Sequence, residues 1–421
     1  MKNILRSSIL AALMAPVASM AGPVAFVTSG ADDGPNTLRE ALANGATKIL
    51  IKPKVSEITV SSGPLLYEGT APLTILGKGQ IVDGSGLPDG DDIFQVTNGA
   101  DLSISNLSFV GAGGYDIENK GGGKGIYVDV PADKEGMVSV ELKKVSVSDT
   151  GDHGLHISDC LVDGAENDEC GGGQGGDGEG SDASVIVRLN NVTVDGAGFG
   201  KQDADGVRVD ERGDGDIFLV VRNSTFTEVG GDGIELDEGD DGSVQVDVRN
   251  ALFESNGAYC SDEFVDDPIA IDPDCDDDGD PDVDDAFDID EAGAGAIAGT
   301  IVNVDLIDNF DEGLDFDSES DGIDDMIDLD LINIFGSGNA DEAIKVSEEG
   351  NASVDVRMRA IDIEGDVEVE EEGDGDLRVT LNGSSIGDDL KLSEEGDGTG
   401  TVKLRGTTVG DELDFNNVEE I

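Results

Sequence analysis

Ile344-Lys345-Val346-Ser347-Glu348, Val367-Glu368-Val369-Glu370-Glu371 and Leu390-Lys391-Leu392-Ser393-Glu394 are one segment written three times at a constant spacing. Apolar residues at the first and third positions mark a β-strand with one buried face, because successive side chains of a strand point to opposite sides. Working outward, the same pair recurs at Ile126/Val128, Leu155/Ile157, Val207/Val209, Ile234/Leu236, Phe287/Ile289, Leu314/Phe316 and Leu413/Phe415. Two intervals, from Leu155 to Val207 and from Ile234 to Phe287, are about twice as long as the others. Each of these spans two repeats and contains one cysteine pair and a Gly- or Asp-rich stretch. The regular unit is therefore roughly 23–30 residues, a period that marks a solenoid. Insertions fall near 160–183 and 258–284.

A second strand lies inside most units, as in Val185-Ile186-Val187-Arg188-Leu189, Val244-Gln245-Val246-Asp247-Val248 and Val354-Asp355-Val356-Arg357-Met358. A helical repeat would show a period of 3.6, which is absent, and an antiparallel sandwich would not hold a constant long period. Short strands separated by Gly, Asn and Asp predict an all-β chain: a right-handed parallel β-helix over 85–421, with a cap and first coils over 22–84. Asn106, Asn191, Asn223, Asn250 and Asn333 recur at one corner, where coils stacked at ~4.8 Å let their amides bond along the stack. This ladder is read as structural.

Composition agrees. Trp is absent and aromatics are 4%, too few for a conventional large core. The net charge of −69 excludes nucleic acid and anionic membranes as partners and favours divalent cations or basic ones. A salt-adapted surface and specific cation binding both fit that charge. Residues 1–21 read as an export signal: Lys2 and Arg6, an apolar stretch Ile9 to Val17 too short to span a bilayer, and Ser19-Met20-Ala21 as the cleavage site. No later run is long enough for a membrane span, so the product is expected in the periplasm, outside the cell or at its surface. There Cys160 with Cys170 and Cys260 with Cys275 are expected to close local disulfide loops.

Near the N-terminus, Asn36-Thr37-Leu38-Arg39-Glu40-Ala41-Leu42 predicts a short helix with Asn36 or Thr37 as its N-cap. Apolar strands and Gly77-Lys78-Gly79-Gln80-Ile81-Val82-Asp83-Gly84 follow. This segment resembles the start of secreted bacterial parallel β-helix proteins with a CSLREA-like element, with Asn36-Thr37 where Cys-Ser is often found. The resemblance runs from the end of the signal to Gly84, and the later coils match only generically. It implies that the helix caps the open hydrophobic end. Such proteins include adhesins, surface proteins and polysaccharide-degrading enzymes.

Asp274, Asp276, Asp278, Gly279, Asp280, Asp282 and Asp285 place carboxylates at alternating positions around a glycine bend. Calcium takes six to eight hard oxygen ligands, and such a turn brings carboxylates to one point. The pattern resembles thrombospondin type 3 and other EF-hand-like calcium loops. Asp317, Glu319, Asp321, Gly322, Asp325 and Asp328 repeat it across a coil turn. A third feature is a column two residues beyond the apolar pair, acidic in seven of the ten copies: Asp159, Glu211, Glu238, Glu291, Glu348, Glu371 and Glu394. Like charges one strand apart repel, so bulk salt or calcium between coils is expected to offset them.

Catalytic candidates are few. Asp205, Arg208 and Asp210, with Asp203 and Arg188, could serve a lyase that pairs a basic residue with calcium-binding carboxylates. His153 and His156, beside Asp152, are a second group; a solvated, outward-facing position is expected for all of them. The ordered Asp-Asp, Gly-His-Gly and Arg-Ile-Lys motifs of β-helical polygalacturonases are absent, Gly151-Asp152-His153-Gly154 being a fragment. Tyr115, Tyr127 and Phe199 are the few aromatics that could stack a sugar. The expected function is a secreted calcium-binding rod in surface adhesion or extracellular matrix, with a polysaccharide or cell-surface ligand and end-to-end self-association of the last coils. The alternative is a calcium-dependent, pectate-lyase-like polysaccharide lyase.

Overall fold

Each short strand marked by an apolar pair lies parallel to the copy one coil before it and one coil after it. Val207–Glu211 pairs with Leu155–Ser158 on one side and Ile234–Glu238 on the other, and the register aligns Leu155, Val207, Ile234 and Phe287 in one column. Twelve such strands form one sheet in strict chain order, from Leu65–Tyr67 to Leu413–Asn416. The computed structural model describes residues 22–159, 180–277, 279–320 and 326–421. The expected Cys160–Cys170 bridge and Asp278, Asp321 and Asp325 lie outside them.

The rest of each coil belongs to a nineteen-stranded sheet. Several long members, such as Ile217–Thr227 and Val244–Glu254, turn a corner in mid-strand. Asn223 and Asn250 make that corner with φ of 52° and 57°, left-handed backbone that Asn tolerates better than most residues. One strand thus supplies two faces of the coil and the twelve-stranded sheet supplies the third. Parallel strands joined by such crossovers form the right-handed parallel β-helix expected from the repeat.

The core is the stack of inward residues. Strand after strand alternates buried and partly exposed positions, as in Ile217–Thr227. Phe226, Phe253, Phe287 and Phe316 form a continuous stack, with ring centroids 5.0, 5.9 and 5.5 Å apart. The predicted cap is present as Leu38–Ala43, which buries Leu38, Ala41 and Leu42. Glu40 N donates to Thr37 Oγ1 at 3.2 Å, which makes Thr37 the N-cap, and the Glu40 side chain reaches back to accept from Asn36 N at 2.5 Å. The second insertion carries the expected Cys260–Cys275 disulfide and a short antiparallel pairing of Asp276–Asp277 with Asp280–Pro281. It packs on the 111–125 loop through Tyr115, Ile117 and Lys120. Among the described residues no helix is long and apolar enough to cross a membrane.

Candidate metal centre

The outer face of the twelve-stranded sheet concentrates the charge. The position between each apolar pair points outward, and the register stacks Tyr127, His156, Arg208, Glu235, Asp288 and Asp315 in one row. Lys345, Glu368, Lys391 and Asp414 continue it. A second outward row, two residues on, contains Asp210, Asp237, Asp290 and Asp317. A third ladder forms at the turn entering each strand. There Asp232 N donates to Asp205 Oδ1 at 2.8 Å, Asp285 N to Asp232 Oδ1 at 2.6 Å, and Glu312 N to Asp285 Oδ1 at 2.8 Å.

Arg208 closes one end of this acidic stretch. Its guanidinium bonds Asp210 at 2.7 Å, Asp205 at 3.2 Å, and Glu235 and Asp237 in still closer contacts. Arg212 adds a 2.8 Å bond to Asp237. His156 Nε2 lies 2.6 Å from Asp210 Oδ2, and Asp205 N donates to His153 Nδ1 at 2.8 Å. The solvated face expected here does not form: Asp205, Arg208, Asp210 and His153 are all buried. His156 does point outward, yet its row neighbours Tyr127 and Arg208 and the adjacent His153 enclose it. Burial pushes His156 down to about 4, so it is neutral at pH 7. Burial would raise Asp205 and Asp210, but His153 and Arg208 at the first and Arg208 and His156 at the second outweigh it and hold both carboxyls well below the usual range. Asp203 is exposed at the preceding turn, and Arg188 lies in the other sheet, donating to Ser139 Oγ at 3.2 Å.

Lys345 closes the other end, 2.8 Å from Asp315, 3.5 Å from Glu312 and 3.9 Å from Asp317. Between the two cations, carboxylates crowd together. Four overlapping groups each bring three carboxylate oxygens within 4.8 Å: Asp205, Asp232 and Glu235; Glu235, Asp288 and Asp290; Asp285, Asp288 and Asp315; and Asp285, Asp311 and Glu312. Burial and neighbouring carboxylates raise Asp232, Asp285 and Asp288 well above the normal range. All-oxygen clusters of this kind suit a hard divalent cation and offer nothing to a soft one.

The two predicted calcium loops are arranged differently. Asp274 bonds Lys120 Nζ at 2.6 Å, Asp276 Oδ1 accepts from Gly279 N at 2.9 Å, and Asp282 N donates to Cys275 O at 3.1 Å. Asp280 sits in the hairpin, whereas Asp285 joins the coil ladder. In the second set, Asp317 faces Lys345, Glu319 is exposed and Asp328 bonds Arg357. Of these residues, Asp285 alone belongs to a three-carboxylate group among those described. Glu235, Asp288 and Asp315 were missed although their signal is plain. Reading the middle residue of each repeat in order gives Arg208, Glu235, Asp288, Asp315, Lys345: three acids bracketed by two bases.

No protein-family model and no curated protein sequence matches the chain. Two solved structures follow a similar path. A polygalacturonase from Erwinia carotovora ssp. carotovora is 11% identical, covering 97% of this chain and 99% of its own, with a TM-score of 0.42. The catalytic unit of a GH87 α-1,3-glucanase from Streptomyces thermodiastaticus strain HF3-3 is 14% identical, covering 96% and 70%, with a TM-score of 0.31. At these scores neither likeness bears on the chemistry of the site.

Proposed function

We propose that this chain is an exported, non-enzymatic β-helical rod that binds calcium and acts in surface adhesion or in an extracellular matrix. The observation that supports it most is the run of carboxylate triads from the Arg208 coil towards Lys345, on four adjacent coils of a rigid sheet. The same geometry weighs against the lyase alternative. A lyase base must be free to take a proton from substrate, whereas Arg208 is buried and bonded by four carboxylates. Asp205 and Asp210 are likewise buried and bound to protein partners.

Thermal unfolding of the chain from residue 22 onward, titrated with calcium, magnesium and sodium at fixed ionic strength, tests the reading. A calcium-specific rise in midpoint is expected, since a ligand that binds the native state alone stabilises it by mass action. An equal response to all three salts would leave only salt adaptation. Ultraviolet-absorbing unsaturated products from an acidic polysaccharide would replace the rod with the lyase.

A further inference from the structure

We infer that the calcium centre is Asp285, Asp288 and Asp315, a site that joins two successive coils. The inference rests on the calcium-binding reading above and says where on the rod the ion sits. Asp288 and Asp315 are directly opposite each other in adjacent strands, and Asp285 enters from the turn just before Asp288. Their carboxylate oxygens lie within 4.8 Å of one another.

What separates this triad from its neighbours is an unmet oxygen. The Asp315 side chain is 9% exposed; its Oδ2 takes Lys345, and its Oδ1 is buried with no hydrogen-bond partner. A buried carboxylate oxygen without a donor is costly, and a cation is the partner that also relieves the crowding of like charges. Asp285 uses Oδ1 for Glu312 N, and its carboxyl group also meets that of Glu312, so like charge crowds it from the next coil. Asp288 is half-buried, makes no ion pair among the described residues, and faces Glu235 and Asp315 to either side. Its partial exposure gives an ion an entry path and room for waters to complete six to eight ligands. By contrast, the triad of Asp205, Asp232 and Glu235 is already served by Arg208. The groups containing Asp290 or Asp311 each borrow Asp288 or Asp285 from this one.

The site is tested by calcium titration calorimetry at fixed ionic strength on the wild-type chain, Asp288→Asn, Asp315→Asn, and the hairpin control Asp276→Asn/Asp280→Asn. Asp288→Asn and Asp315→Asn are expected to weaken the tightest calcium site at least ~10-fold, with the hairpin control unchanged. Asp288→Asn should also unfold at the same or a higher temperature than wild type in chelator, because it removes one of several crowded like charges. That result separates a lost ligand from a damaged fold. Normal binding by Asp288→Asn with loss in the hairpin variant would move the centre to the loop, overturning this assignment and leaving the calcium reading intact. A lower midpoint for Asp288→Asn in chelator would show that the protein itself satisfies that carboxylate, and would also overturn it. Absence of calcium-specific binding in wild type would remove both.

Discussion

Glu371 is fully buried and yet meets another carboxyl group. Its Oε1 accepts from Gly373 N at 3.1 Å and Gly375 N at 2.9 Å, while its Oε2 is buried with no donor. Glu394 of the next coil stacks beside it and has its own orphan Oε1, and Glu348 of the preceding coil leaves Oε2 unmet. Gly375 is required by this packing: a Cβ there would lie 2.0 Å from Ala352 O and 2.8 Å from Glu371 Oε1. Bulk salt cannot reach so closed a column, and calcium would find too few oxygens beside N–H groups that already repel it. A proton meets the need. Burial, aided by Glu394, raises Glu371 to about 7, and burial lifts Glu348 to about 8. The folded state therefore holds these protons more tightly than the unfolded chain, whose glutamates titrate near 4.5. The stability they contribute is complete below about pH 4.5 and is lost as pH rises through about 7 and 8. Glu371→Gln fixes the protonated form, so its melting midpoint should fall less than that of wild type between pH 5 and pH 9, by roughly 2 °C or more. Equal losses in the two proteins would show that the column is not held by protons. The repeat reveals the column, since the residue two places beyond the apolar pair is acidic in most copies. Its sealing inside the coil was not legible, because carboxylates are rarely buried and the glycine turn that receives them acts through backbone alone.

At the scale of the strand, the corner controls the coil. Asn250 Nδ2 donates to Asn223 Oδ1 at 3.1 Å, Asn303 Nδ2 to Asn250 Oδ1 at 3.0 Å, and Asn333 Nδ2 to Asn303 Oδ1 at 3.0 Å. A second ladder, Asn256 to Asn309 to Asn339 at 3.0 and 2.8 Å, stands at the following corner. Asn250→Ala loses two ladder bonds and puts alanine into left-handed backbone, a cost of about 1–3 kcal/mol. Asn250→Gly restores the backbone without the amide and should recover part of that loss. Urea unfolding of the two variants separates the contributions, and equal stability would mean that the ladder bonds alone matter. The outer ladder was largely readable as recurring Asn, although Asn303 was passed over. Corners made by Lys144, Glu228 and Ala360, also at positive φ, carry no residue-type signal and emerge only from the register of the strands around them. The insertion over 258–284 shows a similar limit: its disulfide followed from cysteine spacing, but its Asp pattern resolves into a hairpin and an ion pair with the distant Lys120.

Over the whole molecule, acidity is uneven in its consequences. The C-terminal coils alternate sign along the outward row, Lys345, Glu368, Lys391 and Asp414, and Lys391 alone binds Glu342, Asp366 and Glu368 at 2.5–3.1 Å. The central coils place Glu235, Asp288 and Asp315 in succession with no base among them. A solenoid's stability is close to a sum of local terms, since its strands pair only with those of adjacent coils, so a locally uncompensated stretch can open without the rest. Net charge cannot locate such a stretch; only the stacking of repeats, which turns sequence spacing into adjacency, brings it out. Hydrogen exchange should therefore show calcium acting regionally. In chelator, amides of Ile234–Glu238, Phe287–Glu291 and Asp315–Ser318 should exchange faster than those of Val367–Glu371 and Leu390–Glu394. Calcium should close that gap by slowing the central strands, with little effect on the C-terminal ones. Uniform slowing along the rod would instead mean that the cation screens the whole polyanion and that no coil is singled out.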